Sequence, residues 1–371
     1  MSNIAADIII PNDADVFRSV FLYVGQGDCT LHVVPDGNGG RKFVMVDINL
    51  DRKRGGTDVI RVLEDILPRD DDGKPTLDLF INTHPHNDHI CGLEEVNKRI
   101  RVMEVWHTGF EPSNVHEGNF RHLIELIDMV REREGDDGVF EYQGTRKDID
   151  IGAVDAHVVA PAKHVKDEID ELEDEERDRR IHEYCGVIRL GYGDDTKRKH
   201  VLHTGDSDRC AWENHILGED DYHADRLPSA VVNASHHGSR SFFKDSEEGD
   251  PYEHHIETID PTWVVISSPE QSKSPHGHPH DDAVALYEKH VGDRPENVIT
   301  LGKSKAAQIY DVYPNGDHVM DNDSGELSAE YDLTDQEGGE DGGRSNNERN
   351  AASIAAPAVI TRIDHSRPMG A

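Results

Sequence analysis

Five short apolar runs in this chain each lead into a histidine or an aspartate, and that repeated ending constrains the fold more than any other feature. "KFVMVDI" (42–48) reaches Asp47, "LDLFINTH" (77–84) ends on His84, and "KHVLHTGD" (199–206) ends on Asp206. "SAVVNASHHGS" (229–239) carries His236 and His237, and "PTWVVISSPEQSKSPHGHPH" (261–280) runs into His276, His278 and His280. Short unbroken apolar runs read as strands covered on both faces. Strands that finish in metal-capable groups can gather those groups at one edge of a sheet.

Helical spacing falls between some of these runs. It appears at "TDVIRVLEDIL" (57–67, with Thr57 as a cap), "FRHLIELIDMVRERE" (120–134) and "HDDAVALYEKHV" (280–291). "SVFLYVGQGDCTLHVV" (19–34) reads as two apolar runs joined by a Gly-Gln-Gly-Asp hairpin signature. Strands interspersed with helices imply sheets covered by helices, an α/β layered domain. The folded domain is expected to span 1–320, with an acidic, solvated helical insertion at about 163–182. From Asp321 to Ala371 the composition turns acidic and Gly-rich, which predicts a disordered tail.

The chain has 371 residues with 75 Asp plus Glu against 39 Lys plus Arg, a formal charge of −36. So large a charge strains the compact state by self-repulsion, which concentrated salt screens; spread along most of the chain, it fits a protein of a salt-rich cytoplasm better than the alternative, an ordinary protein with acidic insertions. The four cysteines (Cys29, Cys91, Cys185, Cys210) lie far apart without a CxxC pair. That pattern is neither a disulfide framework nor a Cys-type zinc site. No apolar run approaches about 18 residues, so no membrane span is expected. The N-terminus lacks the basic start and apolar core of a signal peptide. The expected location is the cytoplasm.

The densest chemistry sits in "THPHNDHICG" (83–92), where His84, His86, Asp88 and His89 follow H-x-H-x-D-H directly after a buried strand. Imidazoles and carboxylates are the ligands of zinc and similar divalent ions. Alternating residues leaving a strand can aim two imidazoles at one ion, while the following Asp-His pair reaches another. Asp206, His236, His237 and the histidines of 276–280 are candidates to complete the set. His203, inside its strand, reads as a packing or surface residue.

The order "VGQGD", a strand reaching Asp47, "THPHNDH", "TGD", "HHGS" and "GHP" resembles the metallo-β-lactamase superfamily. It most resembles the hydrolase domain of ComEC-type competence proteins and their soluble relatives, from about Val20 to Tyr313. The resemblance implies a four-layer αββα sandwich with two divalent ions, Zn or Mn, at one edge. His84 and His86 would hold the first ion, with His182 of "RIHEYCGVIRL" as candidate third ligand. Asp88, His89 and His278 would hold the second, and Asp206 would bridge. His237, or else His236, would stand in the "HHGS" place and donate a proton, and Asp47 would fix a ligand from behind. Tyr23 stands where an Asp is common before "VGQGD".

These readings point to a two-metal hydrolase that is a phosphodiesterase or nuclease, with DNA or another phosphodiester as substrate and Asp88, His236 and His237 at the chemistry. A lactone, ester or thioester hydrolase on the same fold is the alternative. A non-catalytic, metal-stabilised binding protein is a third reading. The charge of −36 weighs against long nucleic acid.

Overall fold

The computed structural model describes residues 3–113 and 118–336. Its strands, in chain order, are β1 (Phe17–Phe21), β2 (Thr30–Pro35), β3 (Arg41–Val46), the two-residue β4 (Ile48–Asn49), β5 (Thr76–Ile81), β6 (Arg101–His107), β7 (Val139–Glu141) and β8 (Ile149–Ile151). They continue as β9 (Val154–Ala160), β10 (Val187–Tyr192), β11 (Lys199–His203), β12 (Val231–Asn233), β13 (Trp263–Ile266), β14 (Val298–Thr300), β15 (Gln308–Val312) and β16 (His318–Asn322). Eight of them form one sheet in the order β16-β15-β1-β2-β3-β5-β6-β7, and seven form another in the order β14-β13-β12-β11-β10-β9-β8.

Each sheet is antiparallel on one side and parallel on the other. The β3, β5, β6 and β7 pairings are parallel, as are those of β11, β12, β13 and β14. Val44, Val46, Leu79 and Ile81 of the first sheet share an apolar layer with Ile188, Leu190, Val201 and Val265 of the second. The alternate residues Phe43, Met45 and Phe80 pack outward with the helices Val59–Ile66 and Phe120–Glu134. Val264 and Ile266 pack outward against Trp212, Ile256, Leu286 and Tyr287. Helices outside and two sheets within make the expected αββα sandwich. Burial on both faces explains why these strands read as continuous apolar runs.

Several details differ from the sequence reading. Asp58, not Thr57, caps the helix Val59–Ile66 by accepting from Arg61 N. The 19–34 stretch is not a tight hairpin, because residues 22–29 form a long loop between the paired strands β1 and β2. The insertion is only partly solvated. Its helix Asp174–Arg179 buries nothing, but Val165 and Ile169 of the preceding helix join Phe110, Ile181 and Tyr184 in a small cluster of their own. The compact unit also runs on to Thr334 rather than stopping at 320. β16 pairs with β15, and Leu327, Tyr331 and Leu333 enter the helix-side core. The rest of the expected tail, from residue 337, lies outside the described residues. Among the described residues no helix is long and apolar enough to cross a membrane.

His203 is a buried link between the two sheets. Its Nε2 lies 2.9 Å from Nε2 of His32 in β2, whose Nδ1 meets Ser19 Oγ at 2.9 Å. Burial, and for His32 also the neighbouring ring, holds both imidazoles neutral, His203 down to about 3 and His32 well below its ordinary value. Below about pH 6.5 the unfolded chain takes up protons that these folded imidazoles refuse. Stability therefore falls with acidification, by up to about 1.4 kcal/mol per pH unit for each histidine. In urea titrations between pH 7.5 and 5, His203→Gln should show a shallower pH slope than the parent by about that amount; an unchanged slope would contradict this account.

Candidate metal centre

The parallel halves of both sheets send their C-terminal ends to the same edge, the place where open α/β sheets bind ligands. Beyond β5 come Asn82, Thr83 and His84; His86 then starts the short helix Asn87–Ile90, which carries Asp88 and His89. Beyond β11 comes Asp206, and beyond β12 come His236 and His237. Gly205, at φ +50°, makes this approach possible, since a Cβ there would meet Thr83 Cβ at 2.9 Å.

These loops create two groups of donors. His84, His86, His182 and Asp206 have ligand atoms within 4.8 Å of one another, and so do Asp28, His89, Asp206 and His237. Asp206 belongs to both. Its Oδ2 faces the first group, 3.5 Å from His84 Nε2 and 4.0 Å from His182 Nε2. Its Oδ1 faces the second, 3.1 Å from His89 Nε2 and 3.7 Å from His237 Nε2. Asp88 Oδ2 lies 3.3 Å from His237 Nε2 on the solvent side.

The rings are held from behind. Asp47 Oδ2 takes His89 Nδ1 at 2.8 Å, and Oδ1 accepts from Thr83 N at 2.8 Å and Asn82 Nδ2 at 3.1 Å. The carbonyl of Ser267 takes His237 Nδ1 at 2.9 Å. Each contact fixes a tautomer and turns Nε2 inward, the arrangement that metal-binding histidines use.

The inward atoms fit a cation. His84 Nε2, His89 Nε2, His237 Nε2, Asp206 Oδ1 and both oxygens of Asp28 are buried without a hydrogen-bond partner. Buried polar atoms are rarely left so, and a divalent ion among imidazoles and carboxylates would satisfy them together. The buried charges also shift one another. For His237, burial opposes protonation, but Asp206, Asp28 and Asp88 outweigh it and raise its pKa to about 9. Burial likewise disfavours the charged form of Asp206, yet His236, His89, His237 and His84 hold it well below the usual carboxylate range.

The structure brings His84, His86, Asp88, His89, His182 and Asp206 to one edge, with Asp47 behind them. It does not bring His278 into either group. The His278 backbone N–H donates to Ser274 Oγ, and its ring lies 5.3 Å from that of His236 and 6.4 Å from that of His237. In the second donor group it is His237, expected as a proton donor, that stands beside Asp28, His89 and Asp206. His236 and His237 both adopt left-handed backbone, at φ 49° and 55°, and this turn sends the two adjacent rings different ways. His236 Nε2 faces Asp206 Oδ2 at 3.5 Å with its side chain partly open to solvent.

Asp28 is the residue that sequence reasoning missed. It ends "VGQGD", a motif read there as a hairpin turn and as one of the motifs that carry the family resemblance. In the structure the motif is a wedge against the ligand segment. Asp28 N donates to Asp88 O, and Ser267 Oγ donates to Gly27 O. A Cβ on Gly27, at φ +140°, would stand 2.5 Å from Asp88 O. The same motif was the signal that could have found it.

No family profile matches the chain, and no curated protein matches it. Among solved structures it is similar to the metallo-β-lactamase fold protein YhfI from Bacillus subtilis, at 12% identity over 76% of this chain and 95% of that one, TM-score 0.40. It is similar to a diphosphatase of the PhnP family at 12% identity, over 83% and 98% of the two chains, TM-score 0.39. An archaeal metallo-β-lactamase superfamily protein from Sulfolobus tokodaii shows 18% identity over 51% and 62%, TM-score 0.25. At these scores no residue role is carried across.

Asp47→Asn should weaken divalent-metal binding about 10–100-fold in competition with a chelating dye, with an unchanged circular dichroism spectrum, because Asn tolerates the φ of 54° at this position. His237→Ala should lower the metal bound per chain, whereas His278→Ala should leave it unchanged. Elemental analysis after dialysis separates the two, and the opposite pattern would return the "GHP" histidine to the ligand set.

Proposed function

We propose that the chain is a metal-dependent hydrolase whose substrate is a phosphodiester, closest in kind to the ComEC-type hydrolase domain that its motifs resemble. The observation that carries this reading is the division of one carboxylate, Asp206, between two groups of inward-facing donors. His84, His86, His182 and Asp206 would hold one ion, and Asp28 or Asp88 with His89, His237 and Asp206 the other. Zn²⁺ and Mn²⁺ both suit such a set. Two divalent ions so held supply an activated water and neutralise charge on the attacked group.

The chain's own residues do the rest. Asp206 spaces the two groups, while Asp47 and the Ser267 carbonyl keep His89 and His237 from turning away. Asp88, partly open to solvent, faces the side from which substrate enters and can orient water there. His236 is the residue left free to serve the leaving oxygen. Burial lowers its pKa first, and the rings of His182, His237 and His278 lower it further against the pull of Asp206. An anionic phosphodiester beside it would favour its charged form, the form that can deliver a proton to an alkoxide. A neutral lactone supplies no such charge.

The net charge of −36 favours a small phosphodiester or a short single strand over long duplex DNA, and reaction in concentrated salt. Protein loaded with Mn²⁺ or Zn²⁺ should cleave bis-p-nitrophenyl phosphate and short single-stranded DNA in molar salt. Excess EDTA should abolish cleavage, and so should His86→Ala. His236→Ala should slow phosphodiesters with good leaving groups less than those with poor ones. Turnover of a lactone with inert phosphodiesters would move the protein to the small-molecule reading.

A further inference from the structure

A second set of metal-capable side chains lies outside the site described above. Cys210 precedes a π-helical turn, Ala211–Ile216, that carries His215 and in which Leu217 N bonds to Trp212 O, five residues back. In an α-helix residues five apart diverge by about 140°. The wider π turn brings them toward one face, and such turns recur at functional sites. Glu183 arrives opposite them from the loop before β10. The donor atoms of Glu183, Cys210 and His215 lie within 4.8 Å of one another.

The group is mostly enclosed, and its carboxylate is already ion-paired with Arg180. Glu183 and His215 are nearly buried, with side chains 11% and 14% exposed. Glu183 Oε2 is 3.3 Å from His215 Nε2, and both its oxygens also accept from Arg180. On the far side of the imidazole, His215 Nδ1 lies 3.3 Å from His164 Nε2. An outer partner of that kind fixes the ring of a ligating histidine. His164 and His215 also line a cavity of about 570 Å³, walled further by Lys163, Asp167 and Tyr222.

We propose that Glu183, Cys210 and His215 form a separate site for a thiophilic divalent cation such as Zn²⁺, with His164 orienting His215 from the cavity side. Cys, His and Glu are zinc donors, and three protein ligands leave a fourth place for water or a small anion. The thiolate distinguishes this site from the His/Asp centre, which has no sulfur and equally suits Mn²⁺. On binding, Cys210 forms the S–metal bond and releases its proton to solvent. Glu183 follows His182 directly, so an ion here also ties down the loop that presents His182 to the first donor group.

The test is titration of metal-free protein with Co²⁺, read by near-ultraviolet thiolate-to-cobalt charge-transfer absorption and by bound equivalents after dialysis. The parent should show the thiolate band and bind one equivalent more than Cys210→Ser, which should lack the band and keep its circular dichroism. A His84→Ala/His86→Ala variant should keep the band, and His164→Ala should weaken the cobalt that produces it about tenfold. No thiolate band at saturating Co²⁺, or a band that persists in Cys210→Ser, would overturn the assignment.

Discussion

Everything at the working edge depends on Asp206, a buried carboxylate whose two oxygens face two separate groups of imidazoles. Removing a carboxylate from water is costly unless positive charge or hydrogen bonds replace the lost hydration. Here the replacement is His89 and His237, whose affinity for protons is raised by Asp206 and its acidic neighbours. The cluster thus sets its buried carboxylates against two imidazoles that favour the protonated form. A divalent ion held here would displace those protons and meet buried atoms that lack a hydrogen-bond partner. Metal affinity and the proton inventory of this edge are consequently one property.

The sandwich exists to hold that edge still. Parallel pairing in both sheets fixes the register of β3 with β5 and of β11 with β12 and β13, so the loops leave at matched heights. The apolar layer between the sheets then sets the distance between Asp47 and Asn82 on one side and Asp206 on the other. His32 and His203 add a polar contact inside that layer. It costs the protein in acid but specifies how the sheets face each other, since the 2.9 Å contact tolerates little sliding. Gly205 and Gly27 are the counterpart at the edge: each sits where backbone must pass closer than a side chain allows.

What the sequence made legible was whatever is local. H-x-H-x-D-H places four donors within one strand end and one turn, and the apolar runs announce strands covered on both sides. The helix Phe120–Glu134 matched its sequence pattern because its periodicity is internal to it. What stayed hidden depends on partners distant in the chain. His236, His237 and His278 are chemically equivalent letters; which one faces the second donor group is decided by two left-handed residues and by the carbonyl of Ser267. Asp28 looked like a turn residue because its contacts run to Asp88, His89 and His237, about 60 or more positions away. The domain end was misjudged for the same reason. "SGELSAEYDLTD" reads as acidic linker until Leu327, Tyr331 and Leu333 are seen to fill the helix-side core.

The acidity of the chain and the chemistry of its site operate on different length scales. In molar salt a surface charge is screened within about 3 Å, against about 10 Å at 0.1 M. Exposed carboxylates then cease to be felt by an approaching anion until it is nearly in contact. Buried charges are screened far less, and Asp206, His89 and His84 are almost fully enclosed by protein. Salt therefore removes the long-range repulsion that −36 would impose while leaving the cluster's internal balance intact. The same salt also removes the long-range attraction by which basic proteins gather nucleic acid. In such salt a phosphodiester of the kind proposed above would depend on short contacts, to the donor groups and to His236 and His278 beside them. On the proposed function, that dependence favours substrates small or flexible enough to bring one phosphate directly into the site.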